Sequence, residues 1–262
     1  MSLLVLDKVG KVFGGLHAVR DVSFSVEEKC IFGLIGPNGA GKTTLFNVIT
    51  GVYQPDGGSV RLGPRIISGL TPPQVARLGV ARTFQNIRLF RTMTVEENVM
   101  VAGHHLHQSN MLDAMLRTRR YAVDESALVH RAHELLDVMG LRALATEVSG
   151  SLPYGSQRRL EIARALMLSP RLLLLDEPAA GLNSQEAHAL QDQIRSLRDE
   201  MDLTIVLVEH NMSVVMGVCD TIHVVDHGET IAHGTPAEIR VDKKVIAAYL
   251  GQEADGTEGA HA

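Results

Sequence analysis

The chain has no tryptophan, and its 262 residues include only six phenylalanines, four tyrosines and two cysteines. With so few rings the interior must be filled by aliphatic side chains, so an aromatic outside an apolar run raises a functional question. Cys30 and Cys219 are too few for a disulfide framework or a cysteine metal site, and both lie in apolar strand- or helix-like surroundings. The expectation is a pair of buried, reduced thiols in a cytosolic protein. No stretch reaches the roughly 18 consecutive apolar residues needed to cross a bilayer. Met1-Ser2-Leu3-Leu4-Val5-Leu6-Asp7 lacks the basic start and long apolar core of a signal peptide. Work at a membrane is therefore expected to pass through a partner. Positive charge is not in excess either: 25 Lys and Arg face 30 Asp and Glu, a net charge of -5, so a surface built to hold nucleic acid is not expected. What remains is 45% apolar content, enough for one large α/β domain or a core with a sub-domain.

The most informative stretch is Gly36-Pro37-Asn38-Gly39-Ala40-Gly41-Lys42-Thr43-Thr44, placed between the apolar run Cys30-Ile31-Phe32-Gly33-Leu34-Ile35 and the helix-compatible Leu45-Phe46-Asn47-Val48-Ile49. Strand, glycine loop, helix is the setting of a P-loop. Glycines let backbone N–H groups wrap phosphates, and the helix turns its positive end toward them. Lys42 then reaches the β- and γ-phosphates and Thr43 holds Mg²⁺. A simple strand-to-helix turn needs one or two glycines and no Lys-Thr at a fixed offset. No second P-loop is present.

Residues 3–26 alternate apolar and polar in short runs around Gly14-Gly15, the pattern of antiparallel strands joined by a turn. Phe13 stands at that turn, either to stack on a nucleotide base or to fill the edge of a small sheet. Pro55-Asp56-Gly57-Gly58 leads into a short strand over residues 59–62, and Thr71-Pro72-Pro73 opens a short helix. A strand is expected over residues 80–84 with Gln85 at its end, where a glutamine can ligand Mg²⁺ and contact an attacking water or can simply be solvated. From about residue 94 to 168 the composition is helical, with a capping box at Thr94 and Glu97, and reads as an inserted helical sub-domain. Its His104, His105 and His107 lack a companion carboxylate or cysteine at metal-binding spacing and are expected to be exposed loop residues.

Leu172-Leu173-Leu174-Leu175-Asp176-Glu177 reads as a buried parallel strand with two acids at its carboxyl end, where open α/β sheets bind ligands. Asp176 is placed to hold the Mg²⁺ hydration shell and Glu177 to accept a proton from water. Asn183 with Glu186 starts the next helix, residues 204–208 form the next buried strand, and Glu209 and His210 follow at the same edge. His210 there is a candidate γ-phosphate contact. A hairpin is expected around Gly228, and residues 251–262 read as a disordered tail after a single domain over residues 1–250.

With the P-loop, Gln85, Leu152-Pro153-Tyr154-Gly155-Ser156-Gln157, the acidic strand end and His210 in order, the chain resembles an ATP-binding cassette (ABC) ATPase over nearly its whole length. Phe13-Gly14-Gly15-Leu16, Thr83-Phe84-Gln85-Asn86, Arg158-Arg159-Leu160-Glu161-Ile162-Ala163-Arg164, Ala179-Ala180-Gly181-Leu182-Asn183 and Glu209-His210-Asn211-Met212 narrow the similarity to the ATP-binding subunits of branched-chain amino acid importers. The resemblance implies an α/β P-loop NTPase with a RecA-like core, an antiparallel β sub-domain and the helical sub-domain, using ATP and Mg²⁺. It also implies roles: Phe13 for base stacking, Gly36, Pro37, Asn38, Gly39, Ala40, Gly41, Lys42, Thr43 and Thr44 for the phosphates, Thr43, Gln85 and Asp176 for Mg²⁺. Glu177 becomes the general base, with His210, Gln85 and Lys42 beside it, and Gly155 meets the nucleotide of a second subunit in trans. The implied partners are that second ATPase subunit, of a different chain, and integral membrane permease subunits, with a substrate-binding protein beyond them. The implied place is peripheral, on the inner face of the cell membrane. Close relatives serving urea, amides or other amino acids remain open; the alternative of another class is a soluble cassette ATPase of translation or DNA maintenance, which usually carries two cassettes or a long coiled coil splitting the cassette, neither of which is in this sequence. Two positions depart from the cassette pattern: Pro153 stands where a serine hydroxyl is usual, and Asn183 where Asp is commoner. Asn183 either weakens a contact across the dimer or caps its helix.

Overall fold

The structure is a computed structural model that describes residues 1–103, 113 and 118–255. The alternating amino-terminal residues form an antiparallel pair, β1 (Ser2–Phe13) and β2 (Leu16–Glu27), joined through Gly14 and Gly15 at φ 52° and 90°. β4 (Gly57–Leu62) adds to β1, and the short β5 (Arg65–Ile66) adds to β4, which gives a four-stranded sheet ordered β2-β1-β4-β5.

The second sheet is ordered β10-β9-β3-β8-β7-β6. Its central strands β3 (Ile31–Ile35), β7 (Leu172–Asp176) and β8 (Thr204–Val208) are buried at every position. Continuous aliphatic runs suit strands covered on both faces, and these pair in parallel. β6 (Val80–Arg82) flanks β7, and β9 (Thr221–Asp226) flanks β3, both parallel, while β10 (Glu229–Gly234) returns antiparallel. The turn between β9 and β10 has His227 at φ 45° and Gly228 at φ 79°, the type I′ pattern whose twist matches a hairpin. α1 (Lys42–Ile49) follows β3, so the glycine loop sits at the carboxyl edge of the sheet.

Apolar layers cover both faces. On one, Phe32, Leu34, Val206 and Leu174 of the sheet meet α1 and the inner side of the β1–β2–β4 sheet. On the other, Ile31, Ile35, Leu173, Leu175 and Ile205 share a continuous interior with α3 (Val95–Ala102), α4 (Arg119–Val138), α5 (Tyr154–Leu166), α6 (Ser184–Met201) and α7 (Met212–Val218). The helical segment is thus an insertion by topology whose apolar faces close onto the sheet. Its entry and exit strands of chain are tied by a buried Asn98, which accepts from Phe90 N (2.9 Å) and donates to Phe90 O, Thr94 O and Ser149 Oγ. α2 (Pro72–Arg77), α8 (Pro236–Val241) and α9 (Lys243–Asp255) complete the chain.

Several boundaries differ from the sequence expectation. β6 stops at Arg82, so Gln85 stands in a loop: Arg82 pairs with Asp176 and Thr83 makes the last ladder-like bond, N to Leu174 O at 3.0 Å. α4 begins at Arg119, capped by the Thr118 hydroxyl. α9 runs on through Asp255, so residues 251–255 are helical rather than the start of a disordered tail; Gln252, Glu253 and Ala254 are good helix formers. His104, His105 and His107 lie outside the described residues. Both cysteines are free: Cys219 is buried and Cys30 half-buried, and burial pushes their thiols up to about 12 and about 11.

The two sheets meet through rings. Phe24 of β2 stacks on Phe32 of β3 at 5.1 Å, and His223 of β9 lies 4.8 Å from Phe24 and 5.5 Å from His233 of β10. Burial, followed by the neighbouring His233, pulls His223 down to about 4 from 6.5. The folded chain therefore keeps His223 neutral while the unfolded chain protonates it below about pH 6.5. Its contribution is whole above that pH and declines between about 6.5 and 4, at most about 1.4 kcal/mol per pH unit. Denaturant unfolding at pH 7 and pH 5 is expected to show a smaller pH-dependent loss for His223→Phe than for the natural chain, and an equal loss would disprove it.

Candidate nucleotide site

The P-loop is shaped by close approach of backbone to backbone. At Gly36 (φ 153°) a Cβ would fall 1.9 Å from Val225 O, and at Gly41 (φ 99°) it would fall 2.5 Å from Ala18 O. Gly228 closes the same corner: its N–H donates to Ala40 O at 3.1 Å and its carbonyl accepts from Arg20 N at 2.7 Å. The loop is held between β2 and the β9–β10 turn, with glycine where no side chain fits. Lys42 is buried, and its ammonium donates to Gly36 O at 2.7 Å and Pro37 O at 2.8 Å. Burial draws that ammonium below the usual lysine range, against the opposite pull of Glu177 and Asp176.

Facing the loop across a cleft of about 640 Å³ are Gln85, Glu177 and His210. Glu177 follows β7 in the left-handed region at φ 48°, fixed by its N–H to Val208 O at 2.8 Å. Such a conformation costs free energy and persists where the surroundings dictate it. Its two carboxylate oxygens are divided: Oε2 accepts from Gln85 Nε2 at 2.7 Å and Oε1 meets His210 Nε2 at 2.8 Å. Beneath them Glu209 is buried, with Oε1 accepting from Ala179 N at 2.6 Å and Oε2 from His210 N and Asn211 N at 3.1 and 3.3 Å. Desolvation raises its carboxyl, opposed by those three N–H groups. Glu209 thereby fastens the loop after β7 to the loop after β8, and so sets Glu177 against His210.

The structure brings together Asn38, Gly39, Ala40, Gly41, Lys42, Thr43 and Thr44 with Gln85, Glu177 and His210. Gly36 and Pro37 are buried behind the cleft and supply the carbonyls that hold Lys42. Asp176 is buried at the strand end, paired with Arg82 Nη2 at 2.7 Å, while Arg82 Nη1 donates to Asn47 at 2.6 Å. Phe13 does not line the cleft; its ring is edge-on to Tyr53 at 5.1 Å with the Lys11 ammonium 5.4 Å above it. Gly155 is on another surface, in a cleft with Leu182 and Glu186. Asn183 caps α6: its Oδ1 accepts from Glu186 N and Glu186 Oε2 accepts from Asn183 N, both at 3.0 Å.

The sequence pattern did not point to His17, Arg20 and His227, which rim the cleft from β2 and from the β9–β10 turn. Arg20 pairs with Glu229 at 2.8 Å. No local motif marks these residues; they converge only because the turn folds back on the P-loop.

A glycine loop between a buried parallel strand and a helix, with a lysine on the loop and a carboxylate, an amide and an imidazole across it, is the site of a P-loop nucleoside triphosphatase. Residues 19–180 match the model of the ABC transporter family, and residues 229–255 match that of the branched-chain amino acid ATP-binding cassette transporter. The high-affinity branched-chain amino acid transport ATP-binding protein LivG of Salmonella typhimurium is 48% identical over 250 residues, 95% of this chain and 98% of that protein. BraF of Pseudomonas aeruginosa, also a high-affinity branched-chain amino acid transport ATP-binding protein, is 48% identical over 254 residues, 96% of this chain and 100% of that one. The fold matches the crystal structure of the ADP conformation of MJ1267, an ATP-binding cassette of an ABC transporter, with a TM-score of 0.84 and 31% identity over 96% of this chain and 99% of that one. The chain belongs to the ABC transporter family, as its ATP-binding, ATP-hydrolysing component. No helix among the described residues is long and apolar enough to cross a membrane.

The crowding at Gly41 makes a prediction. Gly41→Ala is expected to lower the melting temperature and to weaken binding of a fluorescent ATP analogue by roughly tenfold or more, because a close backbone contact and a positive φ are both violated. Gly14→Ala, where a Cβ meets nothing within 4 Å, is expected to change that affinity by less than about twofold, its cost being backbone strain alone. Equal affinity losses in the two variants would contradict this account of the loop.

Proposed function

We propose that this chain drives the import of branched-chain amino acids by hydrolysing ATP on the inner face of the cell membrane, in a complex with permease subunits and a second, unlike ATPase subunit. The observation that carries the catalytic part is the Gln85–Glu177–His210 set, bonded to itself and facing Lys42 and Thr43 across one cleft. The solute is inferred from the names of the relatives; importers of urea, amides or other amino acids are the alternative.

In this reading the triphosphate lies along the N–H groups of residues 38–44, and Lys42 exchanges the carbonyls of Gly36 and Pro37 for the β- and γ-phosphates. Phe13 and Tyr53 offer a ring pair beside the cleft for the base. The oxygen donors fit a hard cation, since the exposed Thr43 hydroxyl and the Gln85 side chain share the cleft and Asp176 ends the adjoining strand. Thr43 and Gln85 would hold Mg²⁺, with Asp176 behind them toward its water shell, and the cation would supply neutralisation of phosphate charge. Gln85 suits that double duty, because its amide nitrogen is engaged with Glu177 and its oxygen is left over. Glu177 takes the proton of the attacking water and His210 contacts the γ-phosphate. Gly155, remote from this cleft, serves the nucleotide of the second subunit through its N–H and the amino-terminal end of α5. Residues 86–93 leave Phe90 exposed and Ile87 and Leu89 part-buried, and they receive a helix of the permease.

Glu177→Gln is expected to bind ATP normally and to slow hydrolysis by roughly 10²- to 10⁴-fold, the range of general-base effects. Lys42→Ala differs by losing nucleotide affinity as well, because it acts on ground-state phosphates. Full turnover by Glu177→Gln with ATP bound removes Glu177 from the role. Assembly with an unlike partner makes a second prediction from Pro153. The site built on this chain's residues 152–156 has Pro153 in place of the usual serine, and so lacks a hydroxyl whose bond to a charged group contributes about 1.5–3 kcal/mol. Inactivating the general base of this chain within the assembled transporter should therefore cost more ATP turnover and uptake than inactivating the partner's. Equal losses would refute the asymmetry.

A further inference from the structure

α5 carries Arg158, Glu161 and Arg164 at three-residue spacing, which sets them side by side along one face. All three turn to residues 84–90. Arg158 Nη1 donates to Phe84 O at 3.0 Å and Nη2 to Gln85 O at 2.5 Å, while Glu161 Oε1 accepts from Phe84 N at 3.4 Å. Arg164 donates to Arg88 O, and its guanidinium lies 5.2 Å from the Phe90 ring. The Arg158 and Glu161 side chains are only 4% and 6% exposed, and they pair with each other at 3.5 Å. Burying two charges to hold a surface loop is costly, and apolar groups of the same volume could fill that space with no such cost. What the guanidinium adds is direction, because its fork fixes two successive carbonyls at once.

The same Nη2 also donates to the Tyr154 hydroxyl at 2.9 Å, with the guanidinium 5.4 Å from that ring. Tyr154 is 44% exposed and belongs to the segment 152–156. At the other end, Gln85 passes from its clamped backbone through its amide to Glu177. A continuous set of bonds therefore runs from Tyr154 to Arg158, to the Gln85 backbone, and to Glu177.

We propose that Arg158 is a positioning residue for hydrolysis: it fixes the Gln85 backbone so that the Gln85 amide holds Glu177, and through Tyr154 it makes that position respond to whatever docks on residues 152–156. This rests on Glu177 being the general base. One buried guanidinium thus connects the surface that meets the second subunit to the carboxylate of this chain's own site.

The test uses the assembled transporter. Arg158→Lys keeps a cation beside Glu161 and loses the fork, and should lower kcat roughly 10- to 100-fold with KM for ATP within about twofold, the scale of a lost charge-assisted hydrogen bond. In a Gln85→Ala background the same substitution should cost no more than about twofold further, since residues acting in series are not additive. Tyr154→Phe should show a smaller kcat loss, roughly three- to tenfold, with the same cancellation, and it decides the matter if Arg158→Lys fails to assemble. A kcat unchanged in the variants that assemble, a loss undiminished in the Gln85→Ala background, or a KM that rises in proportion overturns the proposal. Glu177→Gln serves as the separate control, because turnover in that variant would overturn the general-base reading beneath it.

Discussion

Charge is desolvated at the carboxyl edge of the parallel sheet, and the loops there are arranged around it. Lys42, Asp176 and Glu209 are buried, and Glu177 is half-buried. An ionised group in such a place must find partners or give up its charge. Each finds a different solution: Lys42 uses two loop carbonyls, Asp176 uses Arg82, Glu177 uses Gln85 and His210, and Glu209 uses three backbone N–H groups. These partners come from four different segments of the chain. Satisfying the charges is therefore what fixes the loops after β6, β7 and β8 relative to one another, while Lys42 ties the loop after β3 to itself.

Steric constraint complements the electrostatic one. The P-loop touches β2 and the β9–β10 turn so closely that Gly36, Gly41 and Gly228 have no space for a Cβ. This joins the β1–β2 sheet to the nucleotide cleft by backbone contact, and it places His17, Arg20 and His227 on the rim. The ring cluster of Phe24, Phe32, His223 and His233 supports the same junction from below. A change in the small sheet is consequently felt at the P-loop with little slack between them.

The helical segment engages the site by a different route. It shares apolar interior with the sheet, which makes α5 a rigid bar, and its polar face grips the loop that carries Gln85. A loop held at its carbonyls by buried charges has few intermediate positions, because partial release leaves an unsatisfied ion. That property suits an element that must report docking at one surface to a carboxylate at another.

Much of this was legible in the sequence because it is local. The P-loop, the aliphatic strands 172–176 and 204–208, the caps at Thr94 and Asn183 and the acids at strand ends depend on short-range spacing and on burial of continuous apolar runs, and the structure has them where they were expected. The edge of the sheet as the site follows from the same reasoning, since consecutive parallel strands must deliver their ends to one side. Tertiary structure alone decided who partners whom. That Asp176 is held by Arg82, that Phe13 rests on Tyr53 outside the cleft, that His17, Arg20 and His227 converge on its rim, and that Arg158 clamps Gln85 all join residues far apart in the chain. The sequence places Arg82 inside a strand expected over residues 80–84 and Arg158 in a motif that carries the family resemblance, but names a partner for neither, because periodicity records which face is apolar and not which distant carbonyl or carboxylate a buried guanidinium must find.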